Sequence, residues 1–238
     1  MTKPTIFISD LHLSPADMAT VDAFARFMAS TARTADSLYI LGDLFEYWLG
    51  DDQLAEPFYA EQVGHIAAVA ASGVKVYFMA GNRDILPGKD FALAAQLQIL
   101  PDPSIIHLNG SPILLAHGDR YCTDDLAYQR FRRITHNPVI QWLWLHLPRS
   151  IRTQQVAKLR AKSQQMNQSK AKAIMDVNSA AIEAELIRSG VATMIHGHTH
   201  RPARHEQQHG VRWVLPDWHA GQGGYLQLTD AGWELLTL

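Results

Sequence analysis

Residues 5–13 read Thr-Ile-Phe-Ile-Ser-Asp-Leu-His-Leu, an apolar run that ends in an Asp-x-His pair. Its β-branched and aromatic content predicts a short buried strand over 5–9, with Asp10 and His12 at its carboxyl end. Ser14-Pro15 and Asp17 then mark a helix start for the apolar-periodic run 21–29, completing a β-loop-α unit. The unit recurs. A strand over 37–41 (SLYIL) runs into Gly42-Asp43, and a helical stretch over about 58–71 leads to a strand over 74–79 that runs into Gly81-Asn82. Farther on, 105–108 and 113–116 read as a hairpin around Asn109-Gly110, and 191–195, 211–215, 225–228 and 233–236 supply late strands. Early alternation followed by crowded strands predicts an α/β chain with a mixed sheet or two packed sheets.

Between residues 124 and 189 strand signals vanish and helix formers dominate, with breaks at Asn137-Pro138 and Pro148, so this stretch reads as a helical insertion in one 238-residue domain. Its charge is one-sided. Residues 126–175 hold ten of the chain's 21 Lys and Arg and none of its 23 Asp and Glu, so the net charge of −2 conceals a basic segment on an acidic body. The near-neutral total argues against a general nucleic-acid binder. A single cysteine, Cys122, rules out an intramolecular disulfide and a thiolate metal cluster, and reads as a small packing residue. The N-terminal run is too short for a signal peptide, and no stretch reaches the roughly 20 apolar residues of a membrane span.

Five segments share one property: each follows an expected strand and carries hard metal ligands. They are Asp10-Leu11-His12, Gly42-Asp43, Gly81-Asn82-Arg83-Asp84, His117-Gly118-Asp119 and His196-Gly197-His198-Thr199-His200. Taken singly, a Gly-Asp also reads as a turn, an Asp-x-His as chance and a lone His at a strand end as structural. Taken together, they place Asp, His and Asn side chains where sites in open α/β sheets converge. That ligand chemistry suits manganese, magnesium, iron or zinc, and the isolated Asp43 suits a carboxylate bridging two ions.

In order and spacing the five segments resemble the calcineurin-like metallophosphoesterase superfamily over residues 10 to 200. The resemblance implies a metallophosphoesterase fold of two packed mixed sheets flanked by helices, with the helical cap inserted over 124–189. It also implies two divalent metal ions: Asp10, His12 and His200 on one, Asn82, His117 and His198 on the other, Asp43 between them. Asp84 and Asp119 would orient ligands, and His196 would be structural.

One position departs from the superfamily pattern, where Arg83 replaces the usual histidine after Gly-Asn. An arginine cannot donate a proton at neutral pH but can neutralise phosphate charge. The leaving group should therefore already be a good one, and the scissile bond a pyrophosphate. With residues 41–52 (LGDLFEYWLGDD), the CTDD at 122–125, the AIMDVN at 173–178 and the His-Thr-His-Arg-Pro ending, the chain looks like the branch that hydrolyses UDP-2,3-diacylglucosamine in lipid A biosynthesis. That resemblance implies water attack on the alpha phosphorus, manganese as the usual ion, and Asp43 and Arg83 in catalysis. It places Asn82, Arg83, Asp125, Tyr128, Ser163, Asn167, Lys170 and His198 against substrate; Arg160, on the helix face that Ser163, Asn167 and Lys170 share, is a weaker candidate. Expected partners are the diacylated substrate and lipids of the inner-membrane surface, on whose cytoplasmic face a monomer would sit peripherally, with no nucleic acid. The apolar run 139–147, flanked by basic residues, fits acyl chains or headgroups as well as ordinary helix packing.

Overall fold

The computed structural model describes residues 2–169 and 176–238, without the side chains of residues 160–169. Three strands, β1 (Thr5–Ile8), β2 (Ser37–Leu41) and β3 (Lys75–Met79), lie parallel, joined through helices α1 (Met18–Ala29) and α2 (Pro57–Ala71). Their side chains alternate between two interiors, as the period of two demands. Ile6, Ile8, Leu38, Ile40, Val76 and Phe78 face a core shared with Phe24, Phe27, Val63 and Ile66 of the helices. Phe7, Tyr39, Leu41 and Met79 face a second core, with Ile113, Leu115, Ile195 and Trp213. In that second core Phe7, Tyr39 and Tyr77 stand in register on adjacent strands, their rings stacked at 5.0 and 4.6 Å.

The first sheet runs β11-β10-β1-β2-β3-β4, with β4 at Gln98–Leu100, β10 at Gly224–Thr229 and β11 at Gly232–Thr237. The second runs β5-β6-β7-β9-β8, from β5 (Ser104–Leu108), β6 (Ser111–Leu115), β7 (Thr193–His196), β8 (Ala203–Gln207) and β9 (Gly210–Val214). Both sheets mix parallel and antiparallel pairs. Between β5 and β6 the expected two-residue turn is present, Asn109 and Gly110 both having positive φ, the conformation a tight hairpin requires. On the outer face of the second sheet, Ile182 and Leu186 of helix α7 (Ser179–Ser189) pack against Leu114 and Met194. The order of layers is helix, sheet, sheet, helix.

Three elements were not expected from the sequence: β4, β8 and helix α3 (Lys89–Ala95). The start of α3 lacks a local cap, because its cap is remote: Asp51 accepts hydrogen bonds from the N–H groups of Gly88, Asp90 and Phe91 at 2.8, 2.9 and 3.1 Å. β8 is a polar edge strand with no apolar alternation to betray it. The breaks at Asn137-Pro138 and Pro148 separate helices α4 (Leu126–Thr135), α5 (Pro138–Leu145) and α6 (Arg149–Ser169), and Asn137 caps α5 through Val139 and Ile140 N–H.

A candidate dinuclear metal centre

Five strands, β1, β2, β3, β6 and β7, point their carboxyl ends at one place and deliver the five ligand-bearing segments there. The turns after β1, β2 and β7 are strained. Asp10, His12, Asp43, His198 and His200 all adopt left-handed backbone, with φ of 56°, 48°, 52°, 70° and 54°. Such conformations cost about 1–3 kcal/mol each and persist only where neighbours over-determine them. Here the neighbours are visible. The buried Asp84 carboxylate accepts from the N–H groups of Asp43 and Gly81 at 3.1 and 2.9 Å and of Leu44 at 2.8 Å, tying the β2 and β3 turns together. Gly81 lies so close to the Asp43 carboxylate, and Gly197 to that of Asp10, that any Cβ would collide.

Two groups of side chains result. Asp10, His12 and His200 form one and Asp43, His117 and His198 the other, the ligand atoms of each lying within 4.8 Å of one another. Asp43 spans both: its Oδ2 is 3.9 Å from His12 Nε2 and its Oδ1 is 3.6 Å from His117 Nε2. Asn82 joins the second group, its Oδ1 standing 3.0 Å from both His117 Nε2 and His198 Nδ1. In the first group His12 Nε2 and His200 Nε2 face each other at 3.4 Å. Asp10 uses Oδ2 to accept from Ser9 Oγ and His198 N–H, at 2.6 and 2.8 Å, while its buried Oδ1 makes no hydrogen bond and lies 3.5 Å from His200 Nε2. A buried carboxylate oxygen without a hydrogen bond among facing imidazoles suits a cation that completes the set, so these residues fit divalent ions.

Charge in the cluster is correspondingly tense. Burial raises the Asp43 carboxyl to about 7 against the attraction of His117, and Asp84 and Asp10 add repulsion. Burial holds His12 at about 3 and His198 at about 4, leaving their nitrogen lone pairs free. Burial also opposes protonation of His117, yet Asp43, Asp10 and Asp119 raise it to about 9; Asp10 and Asp217 likewise raise His200 to about 10. Those two protons stand where a divalent ion would carry the positive charge instead.

The groups open into a cavity of about 740 Å³, whose polar lining includes His12, Asp43, Asn82, Arg83, His198 and His200. Its apolar lining includes Trp48, Leu86, Phe131, Ile140, Trp144 and Leu159. Of the expected substrate contacts, Asn82, Arg83, Asp125, Tyr128 and His198 line this cavity. The Arg83 guanidinium is 3.4 Å from Glu46 Oε1, and its backbone N–H donates to Asp43 Oδ1 at 2.9 Å. Asp125 caps α4 at Tyr128 N–H, and the Tyr128 ring stacks on His198 with centroids 6.1 Å apart. The side chains of Ser163, Asn167 and Arg160, and Lys170 altogether, lie outside the described residues. Trp142 and Leu143, in the run expected to meet acyl chains, are 58% and 50% exposed and off the cavity wall; Ile140 and Trp144 of the same helix are on it. His196 is apart from the centre, bonded to Gly197 O at 2.8 Å.

The basic segment does not face anions as a whole. Arg132 donates to Asp119 at 2.8 Å and Asp102 at 2.9 Å, and Asp102 in turn accepts from His117 N–H at 3.1 Å, so α4 is clamped to a ligand loop. Arg149 pairs with Glu56, and Arg152, 4% exposed, pairs with Asp52 and donates to Leu49 O. The acids concerned lie on the body, which is why counting charge within the segment overstated its free positive surface. Sequence reasoning also passed over Glu46, Asp102 and Asp217. For Asp217 the signal was present, since it follows the strand expected over 211–215 as the other acids follow theirs.

A model of the calcineurin-like phosphoesterases matches residues 3–202. Proteins described as UDP-2,3-diacylglucosamine hydrolase are similar throughout. The one from Serratia proteamaculans is 48% identical over 238 residues, 98% of each chain, and the one from Edwardsiella ictaluri 45% over 239 residues, 98% of this chain and 92% of that one. An archaeal phosphodiesterase of known structure aligns over 99% of both chains at 10% identity, with a TM-score of 0.49. Family and geometry together support a dinuclear divalent metal site, and the chain belongs to the calcineurin-like phosphoesterases.

Proposed function

We propose that this hydrolase cleaves the pyrophosphate bond of UDP-2,3-diacylglucosamine, giving UMP and 2,3-diacylglucosamine 1-phosphate in lipid A biosynthesis. The observation that carries the proposal is the cavity itself, whose lining combines ligand residues of both groups and Arg83 with apolar side chains. A diacylated nucleotide sugar needs both kinds of lining at once. Full-length similarity to proteins described as acting on that compound supports the same reading.

Within it, Asp10, His12 and His200 would hold one ion and Asn82, His117 and His198 the other, Asp43 reaching both; Mn2+ is the ion proposed. Bound, the pair supplies Lewis acidity toward the phosphate oxygens and activation of the attacking water. The remaining work belongs to the chain. Arg83, held at the cavity by Glu46 and by its own backbone bond to Asp43, offers planar guanidinium donors to the diphosphate and stabilises the charge that develops on its oxygens. No side chain needs to protonate the leaving group, because a departing phosphate is weakly basic. Tyr128 and Asp125 line the cavity at the start of α4, and Ser163, Asn167 and Lys170 are proposed to extend the polar contacts.

We read the chain as one domain, residues 1–238, with residues 124–189 as a helical cap, of which α4 to α6 flank the cavity and α7 packs on the second sheet. Among the described residues no helix is long and apolar enough to cross a membrane. Leu126, Ile134, Val139, Trp142 and Leu143 are nevertheless exposed beside Arg130 and Arg133, which supports a peripheral position for a monomer on the cytoplasmic face of the inner membrane.

Hydrolysis in 18O-labelled water with Mn2+, followed by mass spectrometry of both products, tests the reaction. Label in UMP is expected. Label only in the lipid 1-phosphate would place attack on the other phosphorus. Turnover of bis-p-nitrophenyl phosphate without turnover of the lipid nucleotide would assign a different diester substrate.

A further inference from the structure

The two ligand groups differ in what stands behind their imidazoles. In the first group His12 and His200 turn their Nε2 atoms toward each other, 3.4 Å apart, so each presents Nδ1 outward. Behind His12 Nδ1 stands Glu46 Oε2 at 3.6 Å, and behind His200 Nδ1 stands Asp217 Oδ2 at 3.4 Å. In the second group the outer nitrogen of His117 donates to a backbone carbonyl, Leu41 O, at 2.9 Å. Among the described residues, no carboxylate lies within ion-pair distance of that nitrogen or of either nitrogen of His198.

We propose that Glu46 and Asp217 are positioning residues that back the imidazoles of His12 and His200 and make the Asp10–His12–His200 group the tighter of the two cation sites. A histidine gives a cation its lone pair only when the proton sits on the other nitrogen, and a carboxylate there fixes the tautomer and ring while raising ligand basicity. His12 Nδ1 is buried and makes no hydrogen bond, so the nearby carboxylate meets an unfilled need. Both acids are anchored by their own chain segments. Glu46 N–H donates to Leu13 O at 3.2 Å, next to the ligand turn, and its other oxygen faces Arg83 at 3.4 Å. Asp217 precedes buried Trp218, whose N–H donates to Asp10 O at 3.0 Å, so its loop is fastened to a ligand residue. His219, 3.3 Å from the same Asp217 oxygen, is 70% exposed, so water can serve it in place of that carboxylate.

This inference rests on the dinuclear reading, and the test separates the two. Full-length protein is stripped with EDTA and titrated with Mn2+ alone, by calorimetry for the two binding steps and by EPR for the free ion. Wild type should bind two ions in unequal steps. Glu46→Gln and Asp217→Asn should each weaken the tighter step by about 10–100-fold and leave the weaker one unchanged. Glu183→Gln, at an exposed acid paired with His209, should change neither step. Thermal melting of the metal-free proteins shows whether each variant folds; if one does not, the other decides, and Asp217→Glu should restore the tighter step. Two unequal steps in wild type that both variants leave intact, or that they weaken equally, would overturn the inference. Uptake of fewer than two ions by wild type would instead overturn the dinuclear reading.

Discussion

In the sandwich Ile6, Ile8, Leu38, Ile40 and Phe78 are at most 1% exposed, whereas in α4 and α5 no residue is buried and Leu126, Val139, Ile134 and Trp142 stand at 67%, 62%, 58% and 58%. The sandwich is held by apolar burial on three interiors. The α4–α6 segment is held to it by guanidinium groups on carboxylates, through Arg132, Arg149 and Arg152. Apolar burial is non-directional and tolerant, while a buried ion pair such as those of Arg132 fixes a position and is costly to break; the Arg149–Glu56 pair, exposed on both sides, contributes little. In the proposed reading the difference separates tasks: chemistry sits at the ends of fully buried strands, and recognition of an apolar ligand on helices whose own apolar surface is incompletely covered.

The sharpest break of this comparison is in the sandwich. Asp43→Asn should abolish turnover of the lipid nucleotide and of a small diester alike, by more than the roughly 100-fold typical of outer partners of metal ligands. It should also lose one ion by elemental analysis. Arg83→Ala should come next, lowering kcat on both substrates by about 10²–10³-fold while two ions remain bound. Proportional losses on both substrates would mark these residues as general to phosphoryl chemistry. Arg132→Met leaves Asp102 and Asp119 without their shared cation and should cost about 3 kcal/mol in urea unfolding. Its KM for the diacylated substrate should rise more than that for the small diester, and an equal rise would deny α4 its recognition role. Ile140→Ser, on the cavity wall, should raise that KM about tenfold, as loss of one buried aliphatic side chain implies. Leu143→Ser, off the wall, should not change it in detergent, and the reverse result would mean that the other face of α5 meets the acyl chains. The smallest effect is expected at Cys122, whose buried thiol is pushed up to about 12: iodoacetamide at about pH 8 should neither label native protein nor slow it.

The strands that carry ligands were legible because each is a short apolar run ending in a turn rich in Asp, His or Asn, and a strand buried on both faces leaves that mark. What escaped was non-local. The cap of α3 is Asp51, nearly forty residues earlier, and the clamp of α4 is Asp102, thirty residues before Arg132, so no window of sequence contains both partners. The phase of α5 escaped for another reason. Val139, Ile140, Trp142, Leu143, Trp144 and Leu145 surround the helix almost completely, so periodicity could not say that Trp144 faces the cavity and Trp142 does not. Glu46, three residues after Asp43, belongs to the segment over 41–52 that reads whole as a family motif, so its acid beside His12 is not singled out.

The five left-handed residues at the strand ends set a trap for anyone who would improve this protein by heat selection. Each places a side chain that dislikes its backbone, and Asp10 adds a buried oxygen that makes no hydrogen bond. Glycine at Asp43 or His198 would relieve backbone strain of about 1–3 kcal/mol, and a melting assay run without metal would reward the change. Screened for thermostability alone, libraries would drift toward sturdier folds with no chemistry, so those five positions must be frozen before the first round.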